Sequence, residues 1–271
     1  MLANTFQHIP GIGEKSEQRF WREGIHTWDD FPGSFSITPK KKELILKHLD
    51  ESRSNLSDNP HYFTELLPAH QHWRLFPHYR NSVAYLDIET TGLEDWSDHI
   101  TTIALYDGVN IRHYVHGDNL DEFPKDIMQY RVIVSFNGKC FDVPFLERFF
   151  NITLPQAHID LRFVLKKLGY SGGLKKCEKL LGLDRGDLND VDGFFAILLW
   201  REYRRSGNEK ALETLLAYNI MDVVNLETLM VEAYNLHLRN TPFQDLHLAP
   251  PASPPYIPFT PDTSLINELR W

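Results

Sequence analysis

The segment Asp87-Ile88-Glu89-Thr90-Thr91-Gly92 follows the strand-like run Ser82 to Leu86 without a break. Residues two apart on a β-strand point to the same face. Asp87 and Glu89 therefore leave one side of a strand whose neighbours are buried. Two adjacent carboxylates in that position repel each other and resist leaving water. A fold can leave them at a solvated strand end, or it can supply a counter-charge. A divalent cation supplies one directly, because hard cations prefer oxygen ligands.

The pattern around this strand belongs to an α/β domain. Ile100 to Tyr106 and Val109 to Val115 are rich in β-formers and are joined by Asp107-Gly108, a strong hairpin signal. Arg131 to Phe136 reads as a further strand ended by Asn137-Gly138. Helical patterns follow over Pro144 to Phe150, Leu174 to Leu181 and Phe194 to Tyr203. The longest helix is predicted from Glu209 to Leu236, with Leu212, Leu215, Leu216, Val223, Leu226 and Met230 on one face. A hairpin followed by strand–helix units predicts a mixed sheet with helices packed on it.

Two more acids fall at telling places. Tyr218 and Asp222 are four apart on the longest helix and stack on one face. Asp222 also lies on or beside the apolar stripe, where a carboxylate needs a basic partner or a metal. Asp142 precedes Pro144 at a strand–helix junction. An acid there ordinarily caps the helix; the other reading is a metal ligand at a strand end, where open α/β sheets bind ligands.

Composition narrows the function classes. Lys plus Arg is 28 against 37 Asp plus Glu, a net charge of −9. Coating nucleic acid by bulk positive charge is excluded, whereas holding cations with clustered carboxylates is not. Lys166, Lys167, Lys175, Lys176 and Lys179 form a local basic group that could track a phosphate backbone or simply line a solvated helical face. Cys140 and Cys177 are too few for a disulfide framework, so a reducing, cytoplasmic setting is expected. The apolar runs are too short for a membrane span, and residues 1–18 lack a signal-peptide pattern. His61, His70, His72 and His78 have no recognised zinc spacing, and Gly13-Glu14-Lys15-Ser16 lacks the Gly-Lys pair of a phosphate loop.

Taken together, the DxE strand, the later Asp and the late Tyr-x-x-x-Asp resemble the DEDD 3′–5′ exonucleases of the ribonuclease H-like superfamily, tyrosine subgroup. The finer resemblance is to bacterial YprB-type ribonuclease H-like proteins. It is carried by Asp87 to Leu93, Phe136-Asn137-Gly138, Phe141-Asp142, His158-Ile159-Asp160-Leu161 and Tyr218-Asn219-Ile220-Met221-Asp222, with Ser171 to Lys176 as a weaker mark.

The resemblance implies a mixed five-stranded sheet flanked by helices. It implies that Asp87, Glu89, Asp142 and Asp222 bind two Mg²⁺ or Mn²⁺ about 4 Å apart. Tyr218 would orient the attacking water, since a phenol of pKa about 10 is a poor base at neutral pH. Thr90, Thr91 and Leu93 would meet the terminal nucleotide. Asn137 and Phe141 would touch its sugar or base, with Lys175 and Lys176 on the strand. The implied partner is a nucleic acid with a free 3′ end. A catalytically weak nucleic-acid-binding protein and a hydrolase of short oligonucleotides are the alternatives.

The chain is read in four parts: a module over residues 1–32, a helical connector over 33–80, the exonuclease domain over 81–240 and a Pro-rich tail over 241–271. The first resembles a helix-hairpin-helix element. Gly11, Ile12, Gly13 and Lys15 would then offer backbone N–H groups and a positive charge to a DNA phosphate. Its acids outnumber its bases, so a small helical cap packed on the larger domain is the competing reading. The tail is expected to be extended, with Leu265 to Trp271 either docked or mobile.

Overall fold

The fold comes from a computed structural model, which describes residues 1–31, 37–92, 98–189, 191–251 and 255–270. The first part holds α1 (Glu14–Arg22), α2 (Pro39–Asn55), α3 (Pro60–Leu66) and α4 (Phe76–Tyr79). Strands β1 (Val83–Thr90), β2 (Ile100–Tyr106) and β3 (Ile111–Val115) follow, then α5 (Phe123–Ile127), β4 (Val132–Ser135), α6 (Asp142–Phe150), β5 (Ala157–Asp160) and α7 (Leu161–Lys167). The rest is helical: α8 (Leu174–Leu180), α9 (Gly193–Ser206), α10 (Glu209–Leu238) and α11 (Thr263–Leu269).

The sheet has five strands in the order β3-β2-β1-β4-β5. Strand β1 pairs antiparallel with β2 and parallel with β4, while β4 pairs parallel with β5, so the sheet is mixed. Its two faces sort by residue parity. Ala84, Leu86 and Ile88 join Ile133, Phe145 and Leu146 in one cluster, which α6 covers. Val83 and Tyr85 join Val132, Val134 and the α10 residues Ile220, Val223 and Leu226 in the other. Asp87 and Glu89 share the odd parity of Val83 and Tyr85. They therefore look toward α10.

Helix α10 is the axle of the molecule. Asn208 caps it by accepting from Lys210 N at 3.0 Å. From Leu215 onward it is buried on almost every side, by the sheet and by α9. The mixed α/β architecture agrees with the expectation, and the differences are local. β1 runs on through the carboxylate pair. β3 starts at Ile111 because Asp107 Oδ1 accepts from Val109 N and Asn110 N, closing the turn around those residues. β4 ends at Ser135, since Asn137 takes a left-handed φ of 68°. Strand β5 escaped the sequence reading: it is four residues long and half polar.

The ends of the chain pack on this frame. Glu17 on α1 is buried and accepts from Thr5 Oγ1 (2.5 Å), Phe6 N (2.8 Å), Gln7 Nε2 (2.6 Å) and Arg74 Nη2 (2.8 Å). Phe6, Phe20 and Trp28 belong to the same apolar cluster as Tyr85 and Ile220. Ahead of Gly11 lie a short 3₁₀ turn (Leu2–Asn4) and further turns, where a helix-hairpin-helix would have an α-helix. The tail does not stay extended throughout. Leu265 and Ile266 of α11 are buried beside Leu215 and Trp200, and Asp262 N donates to Thr214 Oγ1 at 2.9 Å. Among the described residues, no helix is long and apolar enough to cross a membrane.

Candidate active site

The carboxylates gather where the C-terminal ends of β1 and β4 meet the middle of α10. Asp87, Glu89 and Asp222 each offer an oxygen, and these atoms all lie within 4.8 Å of one another. Asn219, three residues before Asp222 on α10, fixes the strand to the helix. Its Nδ2 donates to Asp87 Oδ2 at 2.6 Å, and its Oδ1 accepts from Thr102 Oγ1 at 3.0 Å. Asp142 is the first residue of α6, with Phe141 at the N-cap position, so it is not the helix cap. Its Oδ1 instead accepts from Ile88 N at 3.2 Å.

The loop that delivers Asp142 is built tightly. A Cβ at Gly138 would stand 2.3 Å from Ser135 Oγ and 3.4 Å from Asp142 Oδ2, so no other residue fits without displacement. Asp160 braces the loop by accepting from Asn137 N (2.8 Å) and Lys139 N (3.1 Å). The Asn137 side-chain oxygen is held by Arg162. Beside it opens a cleft of about 550 Å³ lined by Phe136, Asn137, Arg162, Lys166, Tyr170 and Leu174.

Crowding sets the protonation. Burial pushes the Asp87 carboxyl well above the ordinary carboxylate range, and the charges of Asp222, Asp142 and Glu89 add to it. Glu89 is raised likewise, by burial and then by Asp222 and Asp142. Asp142 is raised to about 7, chiefly by burial. Asp222 reaches only about 6, because Arg185 opposes the burial. Tyr218 is raised by burial and by Asp222, Glu89 and Asp87, so its hydroxyl keeps its proton.

These residues fit a divalent cation. The donors are all hard oxygens. Asp222 Oδ1 has Arg185 Nη1 beside it at 2.5 Å, but Asp87 and Glu89 add further buried carboxylates to the same cluster. A cluster that costs this much to leave ionised is relieved by a cation.

The remaining candidates divide. Lys175 Nζ lies 5.6 Å from the Tyr218 ring centroid, whereas Lys176 is exposed and lays its stem against Gly172. Thr90 and Thr91 use their hydroxyls on Gly92 O and on Asp98 Oδ1, shaping the loop that leaves β1. Leu93 lies outside the described residues. Phe141 is half-buried and packs 5.7 Å from Phe145, a core contact. Gly11, Gly13 and Lys15 are exposed and Ile12 is buried. Of the four histidines considered for zinc, His72 is buried between the carbonyls of Leu67 (2.9 Å) and His158 (3.0 Å), a packing role.

Sequence reasoning missed Asn219, Glu178 and Arg185. The side chain of Arg185 is 3% exposed, and its Nη1 stands 2.5 Å from Asp222 Oδ1. Asn219 had a readable signal, since it sits next to Tyr218 on a buried helix. Glu178 and Arg185 had none, because a turn at Gly182 separates them.

A family model of the RNase_H superfamily, RNase_H_2, matches residues 84–234. No curated protein matches the sequence. A solved structure similar to part of the chain is the family B DNA polymerase from the hyperthermophilic archaeon Pyrobaculum calidifontis, at 15% identity and a TM-score of 0.43. The alignment covers 58% of this chain and 26% of the polymerase, so the chain spans about a quarter of that protein.

Proposed function

This chain belongs to the RNase_H superfamily, and on that premise we propose that it is a metal-dependent 3′–5′ exonuclease of the DEDD class. Within that class we assign it to the tyrosine subgroup and to the YprB-type proteins. The observation that carries the reading is the convergence of Asp87, Glu89 and Asp222, with Tyr218 one helical turn before the last of them.

Asp87, Glu89 and Asp222 would hold one Mg²⁺ or Mn²⁺, and Asp142 would help to hold a second. When bound, such ions stabilise charge on the phosphoryl oxygens and lower the pKa of a bound water. The chain's own residues do the rest. Tyr218 keeps its phenolic proton, so its hydroxyl orients the attacking water rather than removing a proton from it. Asn219 holds Asp87 in place. Asn137, with its oxygen occupied by Arg162, keeps its Nδ2 for the terminal nucleotide. Lys175, beside Tyr218, faces an incoming phosphate better than Lys176 does. The cleft lined by Arg162 and Lys166 gives a polynucleotide a positively charged path.

The proposed division keeps residues 81–240 as the exonuclease domain in a cytoplasmic protein. Contact of residues 1–32 with DNA would fall on Gly11, Gly13 and Lys15.

The test is incubation with 5′-labelled single-stranded DNA and RNA in Mg²⁺, Mn²⁺ or chelator, beside an Asp87→Ala/Asp222→Ala double variant. A ladder shortening from the 3′ end, absent with chelator and in the variant, is expected. Metal-dependent strand binding without any ladder would replace the enzyme with a binding protein of the same fold.

A further inference from the structure

We infer that Arg185 is a catalytic residue of this site: a guanidinium held by Glu178 that rests against Asp222 and takes a phosphate oxygen of the substrate once Asp222 is engaged by a divalent cation. The inference rests on the exonuclease reading and adds a substrate-binding group to it.

The chain leaves α8, turns at Gly182 with a φ of 80°, and brings Arg185 back beneath the helix. Arg185 Nε donates to Glu178 Oε2 at 2.5 Å and Nη2 donates to Oε1 at 2.8 Å. Glu178 is buttressed from α10, since Asn225 Nδ2 donates to its Oε1 at 2.8 Å. This paired fork fixes the plane of the guanidinium. Glu178 alone answers the arginine's charge, so the pair is neutral as a unit. A purely structural ion pair between α8 and the following turn would be complete at that point.

The third nitrogen is turned into the site instead. Nη1 lies 2.5 Å from Asp222 Oδ1, a charged contact that reaches from the turn after α8 into the carboxylate cluster. The guanidinium carbon also lies 5.7 Å from the Tyr218 ring centroid, next to the phenol assigned to the attacking water. When a cation draws on Asp222, Nη1 remains where it is, because Glu178 holds the other two nitrogens. It is then a buried cationic donor in need of an anionic acceptor. The acceptor that this site receives is a phosphodiester oxygen.

Two opposing effects follow. Arg185 competes with a cation for Asp222 and favours a phosphate. Removing it should tighten metal binding and weaken phosphate binding, whereas general damage to the site would weaken both. The test uses the full chain carrying Glu178→Gln/Arg185→Gln, which removes both buried charges together and leaves two amides that can bond each other. Arg185→Lys is the second variant and keeps the charge opposite Glu178.

Mn²⁺ binding is measured by calorimetry. Adenosine 5′-monophosphate and its 2′-deoxy counterpart are then titrated into the Mn²⁺-loaded protein. The double variant should bind Mn²⁺ at least three-fold more tightly and the nucleotides at least ten-fold more weakly. Arg185→Lys should bind Mn²⁺ as the wild type does and still lose at least five-fold in nucleotide affinity. Unchanged nucleotide affinity in either variant overturns the role given to Arg185. So does a Mn²⁺-loaded wild type that holds neither nucleotide. A wild type that binds no Mn²⁺ sinks the metal-dependent exonuclease reading itself, a different failure.

Discussion

Replacing Asp87 by Asn should make the cation-free protein more stable while abolishing its response to metal. The change is isosteric, and an amide oxygen at position 87 still accepts the 2.6 Å bond from Asn219. Only charge is lost. The oxygens of Asp87, Glu89 and Asp222 lie within 4.8 Å of one another. Two unit charges at that separation repel by about 3.5 kcal/mol when the effective dielectric constant is near 20. Proton uptake limits the penalty in the wild type, so the net gain is set at about 2–3 kcal/mol. In a chain of this size that is a Tm rise of roughly 4–10 °C.

The pH dependence has a definite sign. A carboxyl whose pKa is raised in the folded state contributes stability that is complete near its ordinary pKa of about 4 and is lost as pH rises through the folded value. The Asp87 carboxyl is raised well above the ordinary range, first by burial and then by Asp222. The advantage of Asp87→Asn should therefore be smallest at pH 4.5 and grow as pH rises toward the folded value. The buried neutral histidines His72 and His158, lowered to about 4 and about 3, act in the opposite direction. Both proteins contain them, so they cancel in the difference. The assay is thermal melting in chelator at pH 4.5, 6 and 7.5, repeated with Mn²⁺. Mn²⁺ should raise the Tm of the wild type and leave the variant's unchanged. A variant that melts below the wild type in chelator at pH 7.5, or one that keeps the Mn²⁺ shift, refutes the electrostatic account.

Three further outcomes are expected. Glu17→Ala strands Arg74, whose side chain is 3% exposed, and should cost about 3–5 kcal/mol in urea unfolding; a loss under 1 kcal/mol would mean that water reaches the guanidinium. Gly138→Ala forces a Cβ onto Ser135, 2.3 Å from its Oγ, and should cost about 1–3 kcal/mol. It should also cut nuclease activity by displacing Asp142, and normal turnover would show that the loop yields elsewhere. Asn137, at a φ of 68°, should tolerate Gly but not Val; Asn137→Val should lose about 1–2 kcal/mol more than Asn137→Gly, and equal melting of the two would refute a strained position.

The sequence made the site legible wherever short-range periodicity set the geometry. Asp87 and Glu89 share a strand face, and Tyr218 and Asp222 share a helix face, so both pairs were readable from spacing alone. Asp142 lies at the strand–helix junction expected, but its partner, Ile88 N, is on the neighbouring strand, 54 residues earlier, and leaves no local trace. Glu178 and Arg185 converge through a turn, and no periodicity links them. At the level of fold, the hairpin and the long helices were plain because their patterns extend over many residues. The short strand β5 was not, since four residues with His158 and Asp160 among them carry too little pattern. The N-terminal hairpin motif pointed toward a surface role, whereas the dominant feature there is Glu17, buried by its pairing with an arginine 57 residues away.

Asn219 and Asp87 are joined across 132 residues of chain. During synthesis at about 5–20 residues per second, the strand bearing Asp87 and Glu89 leaves the ribosome several seconds or more before α10. Throughout that interval the carboxylates of β1 stand without the helix that completes their cluster. The cluster therefore forms in a single late step, when the final long helix docks.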